Sequence, residues 1–370
     1  MQVEPEGKDS LAVFAEDRMT TLRRLLIQLS EIPMATAWYL ADLAEAKGRQ
    51  LLYTRQAPQR LKALREHAMI ESAVASNRIE GVEIDPSRVR SVVLGRPAPR
   101  DRNEEEVRGY RNALKLIHES ARRLEISEET VLELHRLSRG DVGDAGRYKT
   151  KDIDILETYA DGRSRVRFKT VPARGTRKAT RELITTWNEV GHQPTPPLVA
   201  LAMFNLDFLC IHPFRDGNGR VSRLLLLLQC YHAGLEVGRY VSIERIIEQN
   251  KDRYYETLEE SSRGWHDGKN DPWPYVNYVL YVLKEAYREF ETRVGEVGGR
   301  RGEKREVILA AMRRVGREFS VAELQTECPG VSVDMIRHVL KELRDRDEVE
   351  CLGRGRNAKW HQKRKLGNNS

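Results

Sequence analysis

Apolar residues recur at spacings of three and four along most of the chain, and proline and glycine gather in a few places instead of interrupting every ten residues. The pattern predicts a mainly α fold. Arg60, Leu61, Leu64, His67, Ile70 and Val74 trace one long helix that should stop near Gly81, ahead of the turn formers Asp85 and Pro86. Gly95 to Glu106 joins two prolines to a charge run and reads as an exposed linker, with the helix VRGYRNALKLIHESARRL after it. Helices are expected near Lys178 to Val190 and Pro197 to Cys210, the second so uniformly apolar that it belongs at the centre.

Between Lys151 and Val171 the period changes. Ile153 and Ile155 alternate with aspartates, Asp161 and Gly162 supply a tight turn, and Val166 and Phe168 alternate with arginines, which predicts a β-hairpin. A second linker, rich in glycine and charge, covers Val294 to Glu303. Helical patterns follow at Lys304 to Val315, Ser320 to Glu327 and Ser332 to Arg344, with Ser320 and Ser332 as N-caps, and VECLGRGRNAKWHQ then reads as a basic hairpin. Three short helices and such a hairpin resemble a winged helix-turn-helix, a module that binds DNA or other proteins. The expected organisation is a helical region over 1–104, a core over 105–293 and the small module over 303–362.

Composition narrows the function classes. Both charge signs are interleaved among 63 basic and 56 acidic residues, so the 370-residue chain is expected to fold rather than stay disordered. The four cysteines, Cys210, Cys230, Cys328 and Cys351, are far apart without a CxxC pair, which argues against a disulfide framework or a structural zinc. No apolar run approaches the roughly 20 residues a membrane span needs, and the acidic start MQVEPEGKDS is unlike a signal peptide, so a cytoplasmic location is expected. From Arg301 onward 16 basic residues face 11 acidic ones, so much of the net charge of +7 lies at the C-terminal end.

The densest chemistry lies between two apolar helices, in His212-Pro213-Phe214-Arg215-Asp216-Gly217-Asn218-Gly219-Arg220. Gly217 and Gly219 let backbone N–H groups converge, and the next helix adds its free amides and positive dipole end, which together make an anion cradle. Arg220 and Arg223 are placed to fork onto phosphate oxygens. Asp216 offers a hard oxygen of the kind Mg²⁺ takes beside phosphates, and His212 can accept a proton from a hydroxyl near neutral pH.

HPFRDGNGRVSR resembles the Fic family motif, His-x-Phe-x-Asp/Glu-Gly/Ala-Asn-Gly/Lys-Arg-x-x-Arg, at every defined position. The likeness extends from about Glu105 to Glu285. It implies an all-helical Fic core with a small β-hairpin flap, and transfer of AMP from ATP to a Tyr, Thr or Ser hydroxyl of a target protein. Carried over by position, His212 would be the general base, Asp216 would hold Mg²⁺, and Asn218 with the amides of Gly217 and Gly219 would bind phosphate oxygens. Arg220 would support the leaving pyrophosphate and Arg223 would grip the γ-phosphate. Phe214 reads as the anchor of the loop within the nucleotide-binding stretch, beside Arg215.

Upstream, Ser76-Asn77-Arg78-Ile79-Glu80-Gly81 is similar to the family's inhibitory motif, Ser/Thr-x-x-x-Glu-Gly/Asn. Ser76 and Glu80 fall one turn apart on one helix face, and Gly81 suits a helix end. The resemblance implies that Glu80 pairs with Arg223 and so takes the place of the γ-phosphate, as a brake. The hairpin stands where the family's flap docks a target by strand addition, with Thr170 and Val171 chosen for that edge. Asn250, Tyr254 and Tyr255 are chosen for the adenine. An autoinhibited protein adenylyltransferase is the leading expectation. Two alternatives stay open: a Fic enzyme that removes AMP from a modified protein, and a nucleotide-sensing DNA-binding regulator that uses Arg354, Arg356, Lys359 and Lys363. Release of such a brake by assembly is common in the family, so a homodimer is also admitted.

Overall fold

The computed structural model describes residues 20–28, 31–56, 58–95, 98–140, 143–158, 163–295, 303–315, 318–328, 331–353 and 358–363. The expected turn at Asp161 and Gly162, most of the second linker, and Arg354 and Arg356 lie outside them. The chain divides into two compact units, Met1–Phe290 and Glu291–Ser370.

In the first unit the elements run α1 (Thr21–Ile27), α2 (Met34–Gln56), α3 (Pro58–Ile79), α4 (Val89–Leu94), α5 (Arg102–Ser120) and α6 (Glu128–Arg139). The hairpin β1 (Asp154–Thr158) and β2 (Ser164–Lys169) comes next, then α7 (Ala173–Val190), α8 (Pro197–Ile211), α9 (Asn218–His232), α10 (Ile243–Gln249), α11 (Lys251–Ser262) and α12 (Trp273–Gly295), whose residues up to Phe290 belong to this unit. No helix among the described residues is long and apolar enough to cross a membrane.

The centre is α8, buried on every side as its sequence predicts, with α1, α7, α9 and α11 around it. Its polar residues are matched. Asn205 donates to Ser222 O (2.7 Å) and accepts from the Tyr275 hydroxyl (2.6 Å), which joins α8 to α9 and α12. Asp207 accepts from the Thr21 and Leu22 amides (3.0 and 2.8 Å) and from the Trp265 indole (2.6 Å), so the start of α1 is fastened by a carboxylate inside the core. Such a group is tolerable in an apolar interior because donors surround it.

The linker expected through Glu106 is shorter than its composition suggests. Asp101 caps α5 by accepting from the Glu104 amide, and the glutamates that follow sit favourably in the first turn of that helix. Charged residues there mark a helix start rather than a loop. Helix α3 packs against α5 and α10, which brings the end of α3 beside the α8–α9 turn. The hairpin is antiparallel, with a shift of register between Ile155 and Leu156.

The second unit contains α13 (Glu303–Val315), β3 (Glu318–Ser320), α14 (Val321–Thr326), α15 (Val333–Asp345), β4 (Val349–Cys351) and β5 (Lys359–Gln362). Ser320 and Ser332 cap α14 and α15 as expected, Ser320 within a capping box completed by Glu323. Its own core gathers Ile308, Met312, Phe319, Ile336, Leu340 and Leu343. The expected C-terminal hairpin is β4–β5. Strand β3, which the sequence reading missed, pairs with β5 to give the order β3-β5-β4. Three residues are too few to show a period of two, and their pairing is with strand residues some forty positions away.

Candidate active site

The turn between α8 and α9 is shaped by its own residues. His212 ends α8 in the left-handed region (φ 53°, ψ 63°), and Pro213 prevents the helix from continuing. Gly217 is also left-handed (φ 85°) and begins α9 without a side-chain cap, so the first amides of α9 are left for another partner. Phe214 is fully buried, as an anchor should be, and Arg215 is exposed.

Two residues expected at phosphate oxygens are used differently. The Asn218 amide accepts from Phe214 N (2.9 Å) and donates to Phe214 O (2.8 Å), so it closes the turn. Arg220 is 1% exposed and donates to Glu106 (2.8 Å) and to Asn77 (3.3 Å), behind the turn rather than in its mouth. Buried polar side chains call for hydrogen-bond partners: the turn itself supplies those of Asn218, and Glu106 on α5 with Asn77 on α3 supplies those of Arg220.

Glu106 organises a group that the sequence reading missed. It accepts from Arg220, from Arg139 (3.0 Å) and from Arg102 (3.0 Å), and Arg139 also reaches Asp216 (2.6 Å). The second Asp216 oxygen lies 3.5 Å from Arg220. Burial acts to raise the Asp216 carboxyl, but Arg220 and Arg139 outweigh it and hold the group below its ordinary value. His135 stacks on Phe214, with ring centres 3.7 Å apart. One His135 nitrogen accepts from the Gly146 amide (3.0 Å), which makes the other the donor to Asp216 O (3.0 Å). Glu106, His135 and Arg139 sit in patterns that look like ordinary helix surface. Only the packing of α5 and α6 on α9 gives them a common target.

Glu80 and Arg223 do meet. Arg223 donates through Nε to Ser76 Oγ (2.9 Å), and through Nη2 to Ser76 O (2.9 Å) and Glu80 Oε1 (2.8 Å). Its Nη1 is buried without a hydrogen-bond partner among the described residues. Burial works against the guanidinium charge, and Glu80 more than restores it, raising the group above its usual range. The Glu80 carboxylate also lies over the first turn of α9: a Cβ added to Gly219 would stand only 2.2 Å from Glu80 Oε1. A carboxylate is thus seated on the cation and at the helix start where an anion is favoured. Gly81 follows with φ 81°, ending the α3 segment.

His212 is part-buried, and its Nδ1 lies 3.3 Å from Leu209 O. That contact places the proton on Nδ1 and leaves Nε2 as the basic site. Burial, then the nearby Lys149 ammonium, pushes the imidazole down to about 4, so it is uncharged at neutral pH.

The remaining candidates are more scattered. Asn250 donates to Ile246 O (2.9 Å) at the α10–α11 junction. Tyr254 is buried 5.2 Å from the Tyr255 ring, and the Arg167 guanidinium lies 5.3 Å over Tyr255. Thr170 and Val171, expected on an open strand edge, instead follow β2 and are buried, 6% and 2% exposed. The hairpin turns inward at its base, where apolar and bonded side chains must be covered. Its exposed apolar pair is Leu156 opposite Val166. No cluster of three or more metal-ligating side chains occurs among the described residues.

The sequence model of the Fic/DOC family matches residues 125–230. Among curated proteins the chain is 27% identical to "Protein adenylyltransferase Fic" of Drosophila willistoni over 247 residues, which is 65% of this chain and 45% of that protein. It is 26% identical to "Protein adenylyltransferase fic-1" of Caenorhabditis elegans over 209 residues, 54% of this chain and 37% of that protein. The chain spans less than half the length of these relatives. The solved structure of a Fic family protein from Desulfovibrio desulfuricans G20 matches with a TM-score of 0.61 at 23% identity, over 91% of this chain and 98% of that one. Fic-1 from C. elegans matches with a TM-score of 0.55 at 20% identity, over 71% and 73%. The structural likenesses show the helical Fic fold.

Proposed function

With a Fic/DOC family domain at residues 125–230 on a helical Fic fold, we propose that the chain is a protein adenylyltransferase that Glu80 holds in a resting state. In the transfer, a target Tyr, Thr or Ser hydroxyl oxygen bonds to the α-phosphorus of ATP, the bond to the bridging α–β oxygen breaks, and pyrophosphate leaves. His212 takes the hydroxyl proton on Nε2, since Nδ1 faces Leu209 O. Its low proton affinity keeps it neutral and able to accept. Most of the remaining catalysis is alignment and charge stabilisation by fixed groups.

The observation that carries this reading is the seat of the Glu80 carboxylate, on Arg223 at 2.8 Å and over Gly219 at the start of α9. A triphosphate whose terminal phosphate is to reach Arg223 must displace it. Carboxylate and phosphate offer the guanidinium the same paired oxygens, so each can replace the other. Asp216 fits Mg²⁺: it is one half-exposed carboxylate with Arg139 on one oxygen, and Mg²⁺ needs only one or two such groups beside phosphates and water. When bound, the ion would neutralise charge on the α- and β-phosphates. Arg139, Arg220 and Glu106 orient Asp216 for that task.

The test is incorporation of labelled AMP from ATP with Mg²⁺, read beside intact mass. Glu80→Gly should transfer AMP to protein, including itself, faster than wild type, and His212→Ala in the same background should not transfer at all. Equal rates for Glu80→Gly and wild type would remove the brake. Variants that only strip AMP from a modified protein would reverse the direction of the reaction.

A further inference from the structure

Lys149 is 4% exposed, and the described part of the structure gives its ammonium two hydrogen-bond acceptors, neither a carboxylate. Its Nζ donates to Thr170 Oγ1 (2.7 Å) and to Ile211 O (3.4 Å). Thr170 Oγ1 in turn donates to Ile153 O. Thr170 directly follows β2 and Ile153 directly precedes β1, so one ammonium is bonded into the base of both strands. On its other side, Ile211 O is the carbonyl just before His212, and the Lys149 amide donates to Pro213 O (3.0 Å), the carbonyl just after it.

We propose that Lys149 is a positioning residue that locks the base of the β1–β2 hairpin to the carbonyls flanking His212, so that a hydroxyl docked on the hairpin and the imidazole keep one geometry. The inference rests on the adenylyltransferase reading for its consequence in catalysis, though not for the coupling itself.

A long cation is an expensive choice for this place. A buried ammonium without a bonded carboxylate carries a desolvation cost that a neutral side chain would avoid. Burial pushes this ammonium down to about 8, and Asp152 and Asp154 only partly compensate. Asp152 itself is engaged at the start of α7, where it accepts from the Ala173 amide (2.7 Å). What the lysine provides is reach: a single side chain spans from the hairpin base to the α8 terminus, with donors for both. The His212 backbone is left-handed, a conformation a non-glycine residue keeps only when its surroundings enforce it. One contact beside it, on Ile211 O, comes from the Lys149 ammonium, and a second, on Pro213 O, comes from the Lys149 main-chain amide and persists in every side-chain variant. The charged groups around His212 are Lys149, which opposes an imidazolium, and Glu80 and Asp216, which favour it. The same lysine therefore helps to keep the base uncharged as well as placed.

The experiment uses the full chain with Glu80→Gly as the parent, and adds Lys149→Met, Lys149→Gln or Lys149→Arg. Amide hydrogen exchange is followed at 153–171 and at 209–214, together with AMP transfer and calorimetric binding of ATP with Mg²⁺. Lys149→Met should speed exchange in both segments and slow transfer by about 10- to 100-fold, the scale of a small misplacement, with the dissociation constant for ATP changed less than about twofold. Lys149→Arg should restore both segments and most of the rate. Lys149→Gln keeps a donor on a shorter, uncharged arm and should fall between the two, which covers the case that Lys149→Met does not fold. Transfer by Lys149→Met within twofold of the parent, or faster exchange in only one segment, would overturn the proposal. If the parent itself transfers no AMP, the assignment of the reaction fails, and the paired exchange response still decides whether Lys149 joins the two segments.

Discussion

A methyl group at Gly219 should dislodge Glu80 without any change to Glu80 itself. The added Cβ would lie 2.2 Å from Glu80 Oε1 and 3.1 Å from Arg223 Nη1. The backbone at Gly219 is already in α9, so alanine is not strained there. The carboxylate must retreat by about an ångström to reach a normal contact near 3.5 Å, and it then loses its 2.8 Å bond to Arg223. Breaking a fully buried ion pair costs roughly 3–5 kcal/mol, and an exposed one less than about 1. With Arg223 2% and Glu80 27% exposed at their side chains, about 1–3 kcal/mol is at stake. The assay is a double-mutant cycle of urea unfolding on wild type, Gly219→Ala, Glu80→Ala and the pair. Once Glu80 is gone the nearest neighbour of the methyl is the end of the Arg223 side chain, 3.1 Å away at Nη1, which has to give by only a few tenths of an ångström, so Gly219→Ala should be near neutral in that background, helped by the better fit of alanine to a helix. The coupling should therefore equal the lost pair, about 1–3 kcal/mol. Losses that add within roughly 0.5 kcal/mol would show that the carboxylate does not sit over Gly219, and the account of the resting state would fail with it.

Other consequences are as direct. Burial pushes His118 down to about 3 and His212 to about 4, so both imidazoles should remain neutral to near pH 5 in an NMR titration, and either one titrating near 6.5 would contradict the packing around it. Because these folded pKa values lie below the unfolded one, the unfolded chain takes up more protons from about pH 6.5 down to about 4 for His212 and about 3 for His118; the stability tied to keeping the two imidazoles neutral is full above that window and lost as pH falls through it. Asp207→Asn turns an amide N–H toward one of the donors that Asp207 now accepts from, and should cost about 2–4 kcal/mol with a shifted Trp265 indole resonance; an unchanged resonance would mean that Asp207 does not hold Trp265. Cys351 is exposed while Cys210, Cys230 and Cys328 are buried, so a maleimide should label one thiol per native chain quickly, and two or more fast equivalents would refute that burial.

Much of the scaffold is readable from pattern because its causes are local. The run from Pro197 to Cys210 has no polar face, so it had to be the central helix, and Ser320 and Ser332 are capping residues wherever a helix follows them. The break to period two at Lys151 marked the hairpin for the same reason. Local cues failed where a partner lay far away in the chain. Strand β3 exists only through its pairing with β5, whereas the acidic run after Asp101 carried a local helix-start signal, an N-cap followed by first-turn glutamates, that the neighbouring prolines made look like linker.

The candidate site divides in the same way. The residues from His212 to Arg223 suggested by themselves the chemistry of an anion-binding turn, since glycines, a helix start, a carboxylate, an imidazole and arginines stand next to one another in the sequence. Tertiary structure decided which of them face the opening. It turned Asn218 and Arg220 inward, because a buried amide or guanidinium must satisfy its hydrogen bonds with whatever the fold brings near. It also set Glu80 on Arg223 across 143 positions of chain, and placed Lys149 between the hairpin and His212. Residue type fixes what a side chain can do, while burial and distance fix which partner it does it with, and those two quantities exist only once the helices have packed.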